Sequence, residues 1–253
     1  MFRIERQEKI LDYVNRVKNA GNHELAREFG VSNVTIRRDL EALAKKRLLF
    51  KTHGGAVSLN NSFLTEIPYS SKEKILTAEK KRIGAAAASL VGTGDIIILD
   101  AGSTTLEVAR HLAGGDITVL TNDIKIAMEL AGKASIHVMV CGGKLESSVY
   151  TLTGGTSVDY FKKVHVNRTF LGCDALDIHF GISNRTCEEV EVKLAMLHAG
   201  EEVVMVTDHT KLNTKVFFHL CAVELIDRLI IDQIDEKTLS ALQKKGIIVT
   251  ITG

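Results

Sequence analysis

No stretch of this 253-residue sequence stays apolar long enough to cross a bilayer. Runs such as Ile96 to Leu99 and Gly84 to Leu90 fall far short of the ~20 residues a membrane helix needs. The start, Met1 to Ile10, mixes Arg3, Glu5, Arg6, Glu8 and Lys9 with single apolar residues, so the apolar centre of an export signal is missing. A cytoplasmic protein with no membrane partner is expected. Cysteine is sparse as well: Cys141, Cys173, Cys187 and Cys221 form no C-x-x-C pair, which gives no sign of a disulfide framework or a structural zinc site. None of the 9 histidines falls in H-E-x-x-H or H-x-x-x-H spacing, so neither a metal nor a cofactor is expected. Proline occurs once, at Pro68, inside a stretch without apolar periodicity.

What is present is ordinary globular composition, 45% apolar and 25% charged, in a chain long enough for one small and one medium domain. The charge is unevenly divided. Up to Val57 there are 12 Lys+Arg against 7 Asp+Glu, and beyond it 20 against 24, so a part at +5 precedes a part at −4. A basic N-terminal part suits an anionic partner, because neutralised phosphates release counterions and drive binding.

Arg3 to Val17 carries apolar residues near helical spacing and is expected as a first helix closed by Gly21. Asn22 is expected to cap a second helix, His23 to Phe29, ended by Gly30. Ser32 caps a third that runs to about Lys46, with Ile36, Leu40 and Leu43 on one stripe. That stripe turns Arg37, Arg38 and Glu41 outward, with Asn33 and Val34 at the exposed start. Leu48 to Thr52 and Ala56 to Leu59 then flank His53, Gly54 and Gly55 as two strands around a glycine turn. Three helices and a small hairpin describe a winged helix-turn-helix. In such a fold the third helix enters the major groove, where Arg37 suits bidentate contact with guanine and Arg38 suits phosphate.

The expected division is a DNA-binding domain over 1–57, a linker over 58–75 and an α/β domain over 76–253. In the last, helices at Ala78 to Val91, Thr104 to Leu112, Ile124 to Ala131, Glu188 to Ala199 and Glu236 to Lys245 alternate with strands. The strands are Asp95 to Asp100, Ile117 to Leu120, Ile136 to Cys141, Arg168 to Leu171, Glu202 to Thr207, Arg228 to Ile231 and Ile247 to Ile251. Such alternation predicts a mostly parallel sheet covered by helices. Lys144 to His165 gives no clear pattern. Between strand and helix, Asp100 to Thr105 reads D-A-G-S-T-T, with Gly102 allowing close backbone approach and Ser103, Thr104 and Thr105 clustered at a helix start. The turn reads equally as a phosphate cradle or as a helix capped by Ser103.

Glu24 to Leu40, E-L-A-R-E-F-G-V-S-N-V-T-I-R-R-D-L, and His53 to Ala56, H-G-G-A, closely resemble the signature of the DeoR family of bacterial transcriptional regulators. The sequence departs from that family at Arg47, where glycine is usual, at Asn22, where an apolar residue is usual, and at Lys51, where arginine is commoner. Lys51 keeps a point charge for phosphate but loses the bidentate fork. The resemblance spans essentially the whole chain. It implies operator DNA as partner, contacted by Ser32, Asn33, Thr35, Arg37, Arg38, Lys51 and His53, and a homo-oligomer, dimer or tetramer.

For the second domain the resemblance implies a Rossmann-like α/β sensor similar to ribose-5-phosphate isomerase and glucosamine-6-phosphate deaminase, with a phosphorylated sugar or sugar-like effector. The implied effector residues are the D-A-G-S-T-T loop from Asp100, then Thr121, Asn122, Gly142, Gly143, Lys144, Asp174 and Lys211, all at C-terminal ends of expected strands. Lys211 would supply charge and Asp174 a hydroxyl contact. The function implied is a repressor of a carbohydrate-utilisation operon, released by its effector; an activator, or a regulator whose sensor has lost its ligand, reads the same. The rival reading is a sugar-phosphate isomerase or deaminase using Asp174 with Glu188 or Glu189. Against it, the isomerases' G-A-D-E segment reads Gly172, Cys173, Asp174, Ala175 here, one acid short.

Overall fold

The structure, a computed structural model, describes residues 3–17, 19–46, 48–51, 54–58 and 69–253. The chain forms two compact units, Met1–Thr65 and Glu66–Gly253. Among the described residues no helix is long and apolar enough to cross a membrane.

In the first unit, α1 (Arg3–Val17) leads through β1 (Asn19–Gly21) to α2 (Asn22–Phe29), α3 (Asn33–Lys45), β2 (Leu49–Lys51) and β3 (Gly55–Ser58). Ile10, Val14, Leu25, Ile36, Leu40 and Leu43 form its core. Gly30 ends α2 in a left-handed conformation, φ +63°, and its amide returns to Ala26 O. Ser32 Oγ accepts the Thr35 amide at 3.2 Å and so starts α3 where expected.

Two expectations change here. Gly21 does not close α1; it lies in β1, which pairs antiparallel with β3 and makes a three-stranded sheet of the expected hairpin. Asn22 is not the cap of α2 but its first residue, behind the extended N-cap Gly21 whose amide donates to Glu24 Oε2 at 3.2 Å, and the Asn22 amide donates to Gly54 O at 2.7 Å. The pairing also explains a glycine: a Cβ on Gly55 would stand 2.0 Å from Ala20 O. One buried charge was not apparent from the apolar pattern. Asp39 accepts from Arg6 Nε at 2.6 Å and Gln7 Nε2 at 3.0 Å, which locks α1 onto α3.

The second unit opens with α4 (Tyr69–Lys72), α5 (Thr77–Ala88), β4 (Ile96–Leu99), α6 (Ser103–His111), β5 (Ile117–Thr121), α7 (Ile124–Leu130) and β6 (Ile136–Val140). Then come β7 (Lys144–Glu146), β8 (Thr151–Thr153), α8 (Gly155–Phe161), β9 (Val166–Leu171), β10 (Ala175–Asp177), β11 (Gly181–Asn184), α9 (Cys187–Ala199) and β12 (Gly200–Val206). It closes with β13 (Phe218–Cys221), β14 (Arg228–Ile231), α10 (Glu236–Lys244) and β15 (Ile248–Ile251).

Seven of these strands form one sheet in the order β15-β14-β12-β9-β4-β5-β6, with every pairing parallel. Helices cover both faces of the central strands, so β4 and the later parts of β12 and β14 are buried apolar runs rather than alternating. Ile98 packs with α8 and α9 in one core, and Ile97 and Leu99 with α5, α6 and α7 in the other. Strand order reverses between β4 and β9, which opens a crevice at their C-terminal ends, the place where open α/β sheets bind ligands.

The linker expected over 58–75 is shorter at its far end. Tyr69 is 1% exposed and its amide donates to Ser148 O at 2.9 Å, so α4 belongs to the second unit. Residues 59–68, Pro68 among them, lie outside the described residues. The unread stretch Lys144 to His165 holds the β7–β8 hairpin and α8, and β10, β11 and β13 form a separate antiparallel sheet.

Candidate functional site

On α3, burial of Ile36, Leu40 and Leu43 leaves Arg37, Arg38 and Glu41 exposed, with Val34 58% exposed at the start. Asn33 and Thr35 are only half-buried and are tied locally, Asn33 Nδ2 to His23 Nδ1 at 3.0 Å and Thr35 Oγ1 to the exposed Ser32 Oγ at 3.0 Å. The first bond braces α2 against the start of α3. Lys51 reaches Glu41 at 3.6 Å, which sets the β2 end beside the exposed face of α3. His53 and Arg47 lie outside the described residues.

In the second unit the crevice at the sheet's switch point is built on charge. Asp100, just past β4 and 1% exposed, accepts the Gly172 amide at 3.0 Å and is ion-paired with the buried Lys193 of α9. Lys193 also donates to Gly172 O at 3.0 Å. Burial alone would lower the Lys193 pKa, yet Asp100 and then Glu189 raise it above its ordinary value, so the ammonium stays charged. The second carboxylate oxygen of Asp100, Oδ1, is buried with no partner among the described residues.

Asp174, two residues beyond Gly172, sits between cations. Lys72 Nζ donates to it at 3.2 Å, the Arg185 amide at 3.3 Å, and Arg185 Nε approaches to 3.8 Å. Burial pushes its carboxyl up, but Lys72, Arg185, Lys211 and Lys193 together hold it below the usual carboxylate range. Lys211 follows a turn in which Asp208 accepts the Thr210 amide at 3.0 Å and His209 is bound to Asp232 at 2.6 Å. Lys80 donates to Lys72 O, and burial pushes its ammonium down to about 8.

The D-A-G-S-T-T loop resolves its own ambiguity in part. Gly102, not Ser103, is the N-cap of α6, with φ +154°, so Ser103 lies in the first turn and no side chain caps the helix. The Gly102 amide donates to Asp123 Oδ2 at 3.1 Å, and Thr105 Oγ1 donates to Gly102 O at 2.9 Å. Thr104 is half-buried beside them. Asp123 caps α7, accepting from Lys125 and Ile126, yet burial outweighs these bonds and pushes its carboxyl up to about 6.

Not every expected residue points the same way. Thr121 Oγ1 donates to Leu99 O at 2.7 Å and accepts the Asp123 amide at 3.0 Å, so its hydroxyl ties β4 to β5. Asn122 is buried, bonded to the backbone of Leu152, and its Oδ1 has no partner among the described residues. Gly142 O accepts Ser157 Oγ at 2.6 Å, and a Cβ on Gly143, φ +138°, would stand 2.5 Å from Thr153 O. These glycines let β8 and α8 pack closely. Lys144 is exposed on the hairpin and paired with Glu146 at 2.7 Å rather than with Asp100 or Asp174.

Two family models match the chain. A DeoR-like helix-turn-helix domain covers residues 6–62, and a DeoR C terminal sensor domain covers residues 76–233. The chain belongs to the DeoR family. It is a DNA-binding transcriptional regulator, not an enzyme, and the isomerase or deaminase reading is set aside on that ground. Among similar DeoR-family proteins, the uncharacterized HTH-type transcriptional regulator YulB of Bacillus subtilis is 36% identical, covering 99% of this chain and 97% of that one. The HTH-type transcriptional repressor GlcR of the same organism is 32% identical over 100% and 97%. The glycerol-3-phosphate regulon repressor of Escherichia coli is 27% identical over 92% of each. Among solved structures, ribose 5-phosphate isomerase A of Methanocaldococcus jannaschii aligns over 53% of each chain at a TM-score of 0.37 and 19% identity.

Several charged residues of the crevice were missed from sequence. Lys193 left a signal, since it is the one cation within the apolar run Val190 to Leu197 of α9. Asp123 also left one, as an acid just before a helix. Lys72 and Arg185 left none, because both lie in segments without periodicity.

Proposed function

We propose that this DeoR-family chain represses a carbohydrate-utilisation operon, reading operator DNA with α3 and leaving it when a phosphorylated sugar or related polyol occupies the switch-point crevice. The observation that carries the DNA-reading half is the outward pair Arg37 and Arg38 on a helix whose other side is fully buried. Arg37 reads a guanine, Arg38 and Lys51 hold phosphates, and Ser32, Asn33, Thr35 and His53 complete the contact surface. The protein acts as a homo-oligomer, so that two reading heads meet two half-sites.

For the effector half, the N-cap Gly102 provides no side-chain cap to α6, which suits its first-turn amides to a phosphate. The buried oxygens of Asp100 and Asn122 that find no partner among the described residues suit donation from sugar hydroxyls. Ser103, Thr104 and Thr105 surround the phosphate, with Gly102 giving the close approach, while Asp174 and Lys211 meet the rest of the ligand. Gly142, Gly143 and Lys144 bound the crevice from the hairpin side, and Thr121 holds its floor. The name of the glycerol-3-phosphate regulon repressor favours the same ligand class.

The test uses a duplex selected by the wild-type protein from a random DNA pool. Arg37→Ala is expected to weaken binding by about 1–3 kcal/mol and relax preference at one base pair. Lys51→Ala is expected to weaken all duplexes alike and flatten the salt dependence by about one phosphate. An Arg37→Ala protein that binds like wild type sinks the assignment of α3.

A further inference from the structure

The short segment Tyr69–Glu73 is fastened on both sides of the crevice. On the β5 side, the Tyr69 ring meets Tyr150 edge-on at 5.8 Å, and Lys125 Nζ of α7 sits 4.0 Å from the Tyr69 ring centre. Glu73 continues this clamp, with Oε2 accepting from Lys125 at 3.2 Å and Oε1 lying 3.5 Å from Arg110. On the β9 side, Lys72 reaches Asp174 at 3.2 Å, and its carbonyl accepts from Lys80. Since β4 lies between β5 and β9, a segment tied to groups on both sides spans the C-terminal end of β4, the end that leads into Asp100. It is also the first described element after the DNA-reading unit, with residues 59–68 between Ser58 and Tyr69.

We propose that Tyr69–Glu73 is a strap that carries ligand occupancy to the DNA-reading unit, with Lys72 as the positioning residue that exchanges Asp174 for the anionic group of the ligand. This rests on the effector reading above. A polyol phosphate offers a new partner to each member of the pair, its phosphate to the ammonium and its hydroxyls to the carboxylate. Asp174 stays neutralised during the exchange, because Arg185 and Lys211 also act on it. The exchange reaches the main chain by pulling Lys72 against the bond that Lys80 makes to its carbonyl. Ligand then interacts differently with the docked and the shifted strap, which is the condition for any coupling between two sites.

The test measures the coupling factor in the full-length protein, the ratio of affinities for the selected duplex without and with saturating probe. The probes are glycerol 3-phosphate, glucose 6-phosphate and fructose 1-phosphate, and probe affinity without DNA is measured separately by calorimetry. For wild type a factor of about 5–150 is expected with at least one probe. In Lys72→Met it is expected to fall to within about twofold of unity, and in Lys72→Arg to stay near wild type. Glu73→Gln, which weakens the strap's own ties to Lys125 and Arg110 without touching Asp174, is expected to lower it too.

A Lys72→Met protein that binds probe more weakly but keeps the full factor at saturation would make Lys72 an ordinary ligand contact and overturn the strap. An undiminished factor in Glu73→Gln overturns it as well, should Lys72→Met fail to fold. A wild-type factor of one with all three probes instead overturns the effector reading, and the strap with it.

Discussion

At the residue scale, the crevice depends on charges that are buried and mutually compensated. Lys193 and Asp100 illustrate the sign of such a pair: the pair itself adds little net stability, but removing one member leaves the other buried and alone. Lys193→Met is therefore expected to destabilise the second unit by about 3–5 kcal/mol, read by urea unfolding, and adding Asp100→Asn is expected to recover part of the loss. Asp123 adds a pH dependence. Its carboxyl is raised from 3.8 to about 6, chiefly by burial, so the folded state holds the proton more tightly than the unfolded chain. Its contribution is fully present below pH ~4 and is lost as pH rises through about 6, for a total of about 3 kcal/mol. In Asp123→Asn that loss is expected to disappear; unfolding free energies that fall equally in both proteins between these pH values would refute it.

At the element scale, α5 and α6 meet at Gly84, where an added Cβ would lie 2.5 Å from the Glu107 carbonyl carbon. Gly84→Ala gains helix propensity of about 0.5–1 kcal/mol but forces the helices apart at about 1–3 kcal/mol, so a net loss in thermal unfolding is expected. Elements of this kind were legible in sequence to the extent that a period could be seen. The helix of Arg37 and Arg38 was visible because Ser32, Ile36, Leu40 and Leu43 supply cap and stripe together, and the parallel strands because they are apolar runs between helices. By contrast, β1 was not visible: its three residues show no alternation, and it exists only because Gly55 lets Ala20 approach. The hairpin β7–β8 and the sheet of β10, β11 and β13 are equally short. The rim loops carrying Asp100 and Asp174 were located from strand ends, whereas Lys72 came from a segment whose one large buried anchor is Tyr69. Pairings between such distant residues leave no local mark.

At the scale of the whole molecule, each unit has its own core and its own buried charge lock. Asp39 joins α1 to α3 in the first, and Asp100 joins Lys193 and Gly172 in the second. Calorimetry is expected to resolve two transitions, with Asp39→Asn lowering one by about 1.5–3 kcal/mol and leaving the other in place. Lys193→Met is expected to do the reverse; a single transition moved by both would contradict separate cores. The reversal of strand order has a consequence for synthesis. Strand β4 pairs on one side with β5, made soon after it, but on the other with β9, and Asp100 must wait for an amide 72 positions later. At 5–20 residues per second that wait is roughly 4 to 14 s. During it Ile97, Ile98 and Leu99 present an open apolar edge, while the DNA reader has already left the ribosome complete. The nascent chain is thus a finished reading head attached to a half-built sheet, and the open strand edge is the part of it most exposed to aggregation until β9 is made.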